Sequence, residues 1–134
     1  PFEAGIEAGT DAVMVSHVSV SKVTQSDTPA SMSELVVTGI LRDELDFEGL
    51  IITDSMSSPV ITEKFEPEQS ALQAIQAGVD IVMEPASLDR AFSSIREAVA
   101  NRSLDEKVLN EAVMRILKNK IQRGIIQIDS TISE

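Results

Sequence analysis

"GLIITD", residues 49–54, is a short apolar run that follows a glycine boundary and ends in a carboxylate, Asp54. Two further runs share its composition: DAVMVSHVSV at residues 11–20, whose apolar centre is Ala12–Val15, and GVDIVMEP at residues 78–85. All three are rich in Val or Ile and nearly continuous rather than alternating, which is typical of parallel strands covered on both faces. The pattern predicts a parallel sheet and leaves open what the Asp54 side chain faces.

Helical patterns separate and follow these runs, and several carry recognisable start or stop residues. These are capping boxes at Ser31/Glu34 and Ser103/Glu106, Pro67 and Gly78 at the two ends of one helix, an apolar stripe at Phe92, Ile95 and Val99, and Gly124 as a C-terminal cap. Alternation of strands and helices at this spacing predicts an α/β fold built from right-handed βαβ units. About three strands leave both sheet edges unpaired, so we expect missing residues or a second copy to complete the sheet.

Composition excludes several classes of function. The formal net charge of −11 argues against binding a nucleic-acid backbone, which needs clustered Lys and Arg. The chain has no Cys, hence no disulfide or thiolate chemistry, and its one His cannot form a paired histidine metal site, so we expect no metal and no cofactor. No apolar run approaches the roughly 20 residues of a membrane span. The absence of Cys slightly favours a cytoplasmic location without establishing it.

The start of the chain carries no obvious initiation or targeting signal. It begins Pro1-Phe2, without Met, and enters a helical pattern at once. A basic start followed by an apolar centre, as in a signal peptide, is not visible. We therefore expect a piece of a longer protein, with any localisation signal upstream.

Polar residues follow each apolar run: His17 after the first, Asp54 after the second and Glu84 after the third. Active sites of parallel α/β folds form at the carboxyl ends of strands, so these residues are candidates. Each also has a simpler interpretation, because Asp54 could cap the segment after the strand, His17 could be a hydrogen-bonded structural residue, and Glu84 could be a solvated loop residue. We interpret the acidic residues between 43 and 48 as a solvated helix end, and without a Gly-x-Ser-x-Gly elbow a serine triad is not favoured.

Three segments together resemble glycoside hydrolase family 3, and within it the bacterial β-N-acetylglucosaminidase (β-hexosaminidase) branch. They are AVMVSHVSV at 12–20, TPASMSELVVTGILRDELDFEGLIITDSM at 28–56 and ALQAIQAGVDIVMEP at 71–85. The resemblance extends from Pro1 to about Gly124. It implies that residues 1–124 are the C-terminal part of the family's TIM-type catalytic barrel, roughly its last three β-α units, and that residues 125–134 form a tail.

The same resemblance implies roles for individual residues. Asp54 matches the family's catalytic nucleophile, in the Thr-Asp pair after the strand, and His17 and Met14 match positions that line the sugar site. The family's Lys-His-Phe-x-Gly segment and the His-Asp loop that supplies the acid/base in this branch are absent from the chain. The usual Met after the nucleophile is also missing, since Ser58 and Pro59 stand there, and without Trp or Tyr the chain offers few stacking platforms for a sugar.

The function implied is that of a fragment of a retaining glycosidase acting on terminal β-N-acetylglucosaminides through a covalent glycosyl-Asp intermediate. We expect the fragment to be inactive alone, and its sheet edges at Val13–Val15 and Ile81–Met83 to favour self-association or pairing with the rest of the barrel. The alternatives are a β-glucosidase of the same family and a non-catalytic carbohydrate-binding relic in which Asp54 is structural. The partner expected in each case is a carbohydrate.

Overall fold

The computed structural model describes residues 1–127, which form a mixed α/β structure. Two strands, β1 (Ala12–Val15) and β2 (Leu50–Thr53), are separated and followed by helices. The α-helices are α1 (Phe2–Glu7), α2 (Ser21–Thr24), α3 (Pro59–Thr62), α4 (Pro67–Gln76), α5 (Leu88–Ala100) and α6 (Glu106–Gln122), with a 3₁₀ helix at Ala30–Met32 and a π-helix at Leu35–Glu44. From residue 128 onward, the tail predicted for residues 125–134 lies outside the described residues.

The two strands run parallel, as the sequence predicts, with Ala12 opposite Leu50 and Val15 opposite Thr53. The third run also lies parallel to β2, but it is joined by a single bridge, Ile52 to Ile81, rather than by a strand ladder. The expected three-stranded sheet is thus two strands and a bridged segment within residues 1–127. The reason is that the Met83 N–H donates to the Thr53 side-chain hydroxyl at 2.9 Å, where a ladder would use a main-chain carbonyl.

The helices that follow β2 confirm most of the sequence pattern. Pro67 is the first residue of α4, and Gly78 follows its end with a φ of +100°. The residues of the expected stripe lie on α5, where Ile95 and Val99 pack against buried residues but Phe92 is 63% exposed. The capping box expected at Ser103 is wrong, because the N-cap of α6 is Asp105, whose side chain accepts a hydrogen bond from Lys107 N. Gly124 adopts a φ of +69° just beyond α6, as expected of a C-terminal cap.

The segment between Ser31 and Leu45 differs more from expectation. Neither the 3₁₀ helix nor the π-helix has a side-chain cap, so the capping box predicted from Ser31 and Glu34 is wrong. The Ser31 hydroxyl bonds to His17 instead. A π-helix bonds each N–H to the carbonyl five residues back, a rare arrangement, and this one still buries Val37 and Leu41 on its inner side.

The hydrophobic core lies around the buried face of the sheet. Its largest fully buried side chains include Ile51 on β2, Met56 and Ile61 after it, and Val37 on the π-helix. A second, smaller cluster forms where α4, α5 and the start of α6 meet, around Ile75, Ala98 and Leu104. Within residues 1–127, none of the helices is both long and apolar enough to cross a membrane.

One ionised group lies inside this core, the carboxylate of Asp80, whose side chain is 0% exposed. It accepts hydrogen bonds from Arg42 Nη2 at 2.6 Å, Arg115 Nε at 2.8 Å and the Ile51 main-chain N–H at 2.8 Å. Burial lowers the pKa of Arg42 below its ordinary value, and the adjacent Asp80 carboxylate partly offsets that effect. A buried carboxylate is tolerated when its oxygens are satisfied by such donors.

Arg42 extends the same network to the turn before β2. Its Nη1 donates to the carbonyls of Phe47 and Gly49, each at 2.6 Å, and its guanidinium lies 5.6 Å from the Phe47 ring centre. No residue with a side chain fits at position 49, because a Cβ on Gly49 would lie 2.5 Å from both the Asp11 carbonyl oxygen and the Phe47 ring. The turn is therefore closed tightly onto the start of β1.

Asp80→Asn should destabilise the fold strongly, because the amide presents N–H groups to two guanidinium groups and removes the charge that balances them. Breaking a buried ion pair from one side costs about 3–5 kcal/mol. Urea unfolding followed by circular dichroism, at one fixed protein concentration, measures the change. Arg90→Ala is the matched control, since its partners Glu66 and Glu68 are exposed, and it should leave the free energy of unfolding nearly unchanged. Equal effects of the two substitutions would contradict a central role for Asp80.

Candidate active site

Asp54 stands immediately after β2, at the carboxyl end of the strand. Its main-chain N–H donates to the Val15 carbonyl at 3.0 Å, so the backbone is still bonded to β1 at this residue. The side chain is half-buried, and Oδ1 accepts a hydrogen bond from the Ser55 N–H at 2.7 Å. The carboxylate therefore bonds the turn after the strand, but it does not cap a helix, since α3 begins at Pro59 without a side-chain cap.

The backbone on either side of Asp54 is fixed by the third run. Thr53, which is fully buried, donates its N–H to the Ile81 carbonyl at 3.0 Å and accepts the Met83 N–H on its hydroxyl. Met56 N–H in turn donates to the Met83 carbonyl at 2.9 Å. Asp54 thus lies between two residues that are both bonded to the 81–83 segment, which restricts the directions its side chain can take.

His17 reaches the same turn from the segment after β1. Its Nε2 lies 2.9 Å from the Ser55 carbonyl oxygen, and its Nδ1 lies 2.7 Å from the Ser31 hydroxyl. The structure therefore brings His17 and Asp54 to one end of the sheet, where both contact Ser55. The ring is half-buried, and both of its nitrogens have partners inside the protein.

Met14 and Glu84 occupy different environments. Met14 is 59% exposed and stands opposite Ile52 in the sheet, on the face away from the buried Val15. Glu84 is exposed, has a φ of +45°, and offers its carbonyl to the Ser57 hydroxyl at 2.8 Å, which confirms its interpretation as a solvated loop residue. The acidic residues Asp43, Glu44, Asp46 and Glu48 are exposed as expected.

A cavity of about 460 Å³ lies at the opposite end of the strands, beside Asp11 and Gly49. Two of its cations, Arg42 and Arg115, are already bonded to Asp80. Since parallel α/β folds place their chemistry at the carboxyl ends of strands, we assign the candidate active site to the Asp54 end. In the part of the chain that is described, no group of three or more His, Asp or Glu side chains is arranged to hold a metal ion.

Sequence reasoning did not single out three residues that shape this site: Ser31, Thr53 as a hydroxyl acceptor, and Ser55. Ser31 carried a signal that favoured a helix cap, and its true partner lies 14 residues earlier in the chain. Of these three residues, Thr53 was the one whose role could be anticipated, because it carries a hydroxyl in an otherwise aliphatic strand. A buried hydroxyl at the end of a strand needs a polar partner, and here that partner is the backbone of the next run.

Comparison with known proteins places this arrangement in context. Residues 1–119 match the family model described as the glycosyl hydrolase family 3 N terminal domain. The chain is 28% identical over 133 residues to a β-N-acetylglucosaminidase/β-glucosidase of Cellulomonas fimi, covering 92% of this chain and 24% of that protein. It is 37% identical over 98 residues to a β-hexosaminidase of Hydrogenovibrio crunogenus, covering 71% of this chain and 27% of that protein.

A solved structure is similar over almost the whole chain. The structure of a glycoside hydrolase family 3 β-N-acetylglucosaminidase from Paenibacillus sp. superposes with a TM-score of 0.88 at 30% identity, covering 97% of this chain and 26% of that one. The chain therefore spans about a quarter of the length of these three proteins.

Proposed function

This chain belongs to glycosyl hydrolase family 3, and we propose that it carries the catalytic nucleophile of a retaining glycosidase, Asp54. The observation that supports the proposal best is the placement of the Asp54 carboxylate at the carboxyl end of a buried parallel strand, partly exposed, with its backbone bonded on both sides. A nucleophile of this class must be ionised and held below the anomeric carbon of the sugar. A strand end can supply that rigidity while leaving the side chain accessible.

The proposed reaction has two steps. A carboxylate oxygen of Asp54 attacks the anomeric carbon, and a bond forms to the sugar as the bond to the leaving oxygen breaks and that oxygen takes a proton from a general acid. Water then attacks the glycosyl ester, gives up a proton to the same acid/base group, and releases the sugar and the free carboxylate. In a retaining enzyme the two groups stand about 5 Å apart. We assign the acid/base to a segment outside this chain, because the His-Asp loop that supplies it in the β-N-acetylglucosaminidase branch is not found among residues 1–134.

We propose a terminal β-N-acetylglucosaminide as the substrate. The names of the Hydrogenovibrio and Paenibacillus proteins support this choice, and the proposed sugar contacts are Met14 through its exposed side chain and His17 through the exposed part of its ring. A β-glucoside is the second candidate, favoured by the double name of the Cellulomonas protein. A carbohydrate-binding relic remains the non-catalytic alternative, and activity separates it from the other two.

Asp54→Ala, made in the full-length protein that contains this chain, should lower kcat/KM by several orders of magnitude, because no other group can form the covalent intermediate. The assay compares an aryl β-N-acetylglucosaminide with the matching β-glucoside, and the faster substrate identifies the specificity. Glu84→Gln is the matched control, since Glu84 also follows an apolar run but is exposed, and it should leave turnover nearly unchanged. An Asp54→Ala enzyme with near-normal turnover would exclude Asp54 as the nucleophile.

The 134-residue chain alone should show no measurable glycosidase activity, because general-acid assistance is typically worth about 10² to 10⁴ in rate and its donor is missing. The edge of β1 that has no strand partner among residues 1–127 should also favour pairing with a second copy or with the rest of a barrel. Size-exclusion chromatography with light scattering, run beside the aryl glycoside assay, measures both properties. A strictly monomeric and active chain would contradict this account.

A further inference from the structure

The imidazole ring of His17 is held from both sides. The Ser55 carbonyl can only accept a hydrogen bond, so Nε2 must carry the hydrogen in the 2.9 Å contact. In the neutral ring the other nitrogen is then an acceptor, and the Ser31 hydroxyl donates to Nδ1 at 2.7 Å. The Ser55 carbonyl therefore sets the tautomer, and the Ser31 hydroxyl, which can donate or accept, complements it by donating to Nδ1 and holds the ring in this orientation.

Ser55 connects this ring to the candidate nucleophile. Its carbonyl accepts from His17, while its N–H donates to Asp54 Oδ1 at 2.7 Å. The N–H and the carbonyl of Ser55 lie in adjacent peptide units joined at its Cα, so a displacement of Ser55 as a whole would move the donor that holds the carboxylate. The Asp54 N–H is bonded to Val15 and the Met56 N–H to Met83, and the Ser55 carbonyl also accepts the Ser58 N–H at 3.1 Å, so the ring adds one further restraint to the turn between Asp54 and Ser58.

We infer that His17 is a positioning residue for Asp54, acting through Ser55, with its ring held in place by the Ser31 hydroxyl. The role rests on the proposed function of Asp54 as the nucleophile. Ser31 is 0% exposed, so its hydroxyl cannot contact a sugar and can influence turnover only through its neighbours. That difference separates the positioning role from direct contact between His17 and the substrate.

A double-mutant cycle in the full-length enzyme tests the inference, using Ser31→Ala, His17→Ala and the pair. A misplacement of about 1 Å can cost up to roughly 100-fold in rate, so His17→Ala should lower kcat by about that much, in addition to any rise in KM from the proposed contact of its ring with the sugar. Ser31→Ala should lower kcat severalfold, and it should have no further effect once His17 is gone, because it acts through the ring. Ser33→Ala, which alters another buried serine two residues along, is the matched control and should leave kcat unchanged.

The outcomes separate this inference from the proposed function. Additive effects of Ser31→Ala and His17→Ala, a loss confined to KM in His17→Ala, or normal kcat in Ser31→Ala would each overturn the positioning role while leaving Asp54 as the nucleophile. An active Asp54→Ala enzyme would instead overturn the proposed function.

If His17→Ala fails to fold, the kinetics of Ser31→Ala still test the positioning role, together with ¹⁵N NMR of the His17 imidazole. The expected spectrum shows hydrogen on Nε2 of the neutral ring, and hydrogen on Nδ1 alone would overturn the inference.

Discussion

The carboxylate of Asp80 joins four segments of the chain at one buried point. It binds the backbone of β2 at Ile51, the guanidinium of Arg42 from the π-helix and that of Arg115 from α6, while Asp80 itself lies in the third run. An unpaired carboxylate would be very costly in this environment, so the three donors must be in place together. The position of β2 relative to α6 and to the π-helix depends on that condition.

The same strand is fixed again at its other end, by different means. Thr53 bonds to the third run through both its N–H and its hydroxyl, so β2 is held at Ile51 by an ionic network and at Thr53 by backbone-directed bonds. Asp54 follows Thr53 directly, so the backbone that carries its side chain is held in place by a strand bonded at both ends. A glycosidase nucleophile benefits from such preorganisation, because the carboxylate must not reorient during the reaction. The fold and the proposed chemistry therefore depend on the same short strand.

Much of this architecture follows from local patterns in the sequence. The apolar runs at Ala12–Val15 and Leu50–Thr53 predict the two strands, and Pro67 and Gly78 mark the ends of α4 closely. The long-range polar partners could not be predicted in the same way. Ser31 has the spacing of a helix cap, yet it bonds to His17, and the choice between the two depends on how the segments pack.

For Asp80, the sequence predicts the kind of partner but not which residues provide it. A carboxylate in an otherwise apolar run must be satisfied by donors if it is buried, so a cationic partner could be anticipated from the sequence. Its identity could not, since Arg42 and Arg115 lie 38 and 35 residues away. The sequence also could not predict that the third run would pair with β2 through a single bridge. The Thr53 hydroxyl replaces a ladder bond there, and that replacement depends on how the two segments are placed in three dimensions.

The proposed role of Asp54 as the nucleophile is tested most directly by chemical identification of the residue that becomes glycosylated. An aryl β-N-acetylglucosaminide with a good leaving group makes the first step fast, so the covalent intermediate accumulates in the full-length enzyme before water releases it. Acid quenching, proteolysis and mass spectrometry then locate the sugar. The prediction is one N-acetylhexosaminyl group on the peptide that contains Asp54, attached at Asp54 itself. A sugar attached to another residue, or a burst of product with no adduct on that peptide, would contradict it.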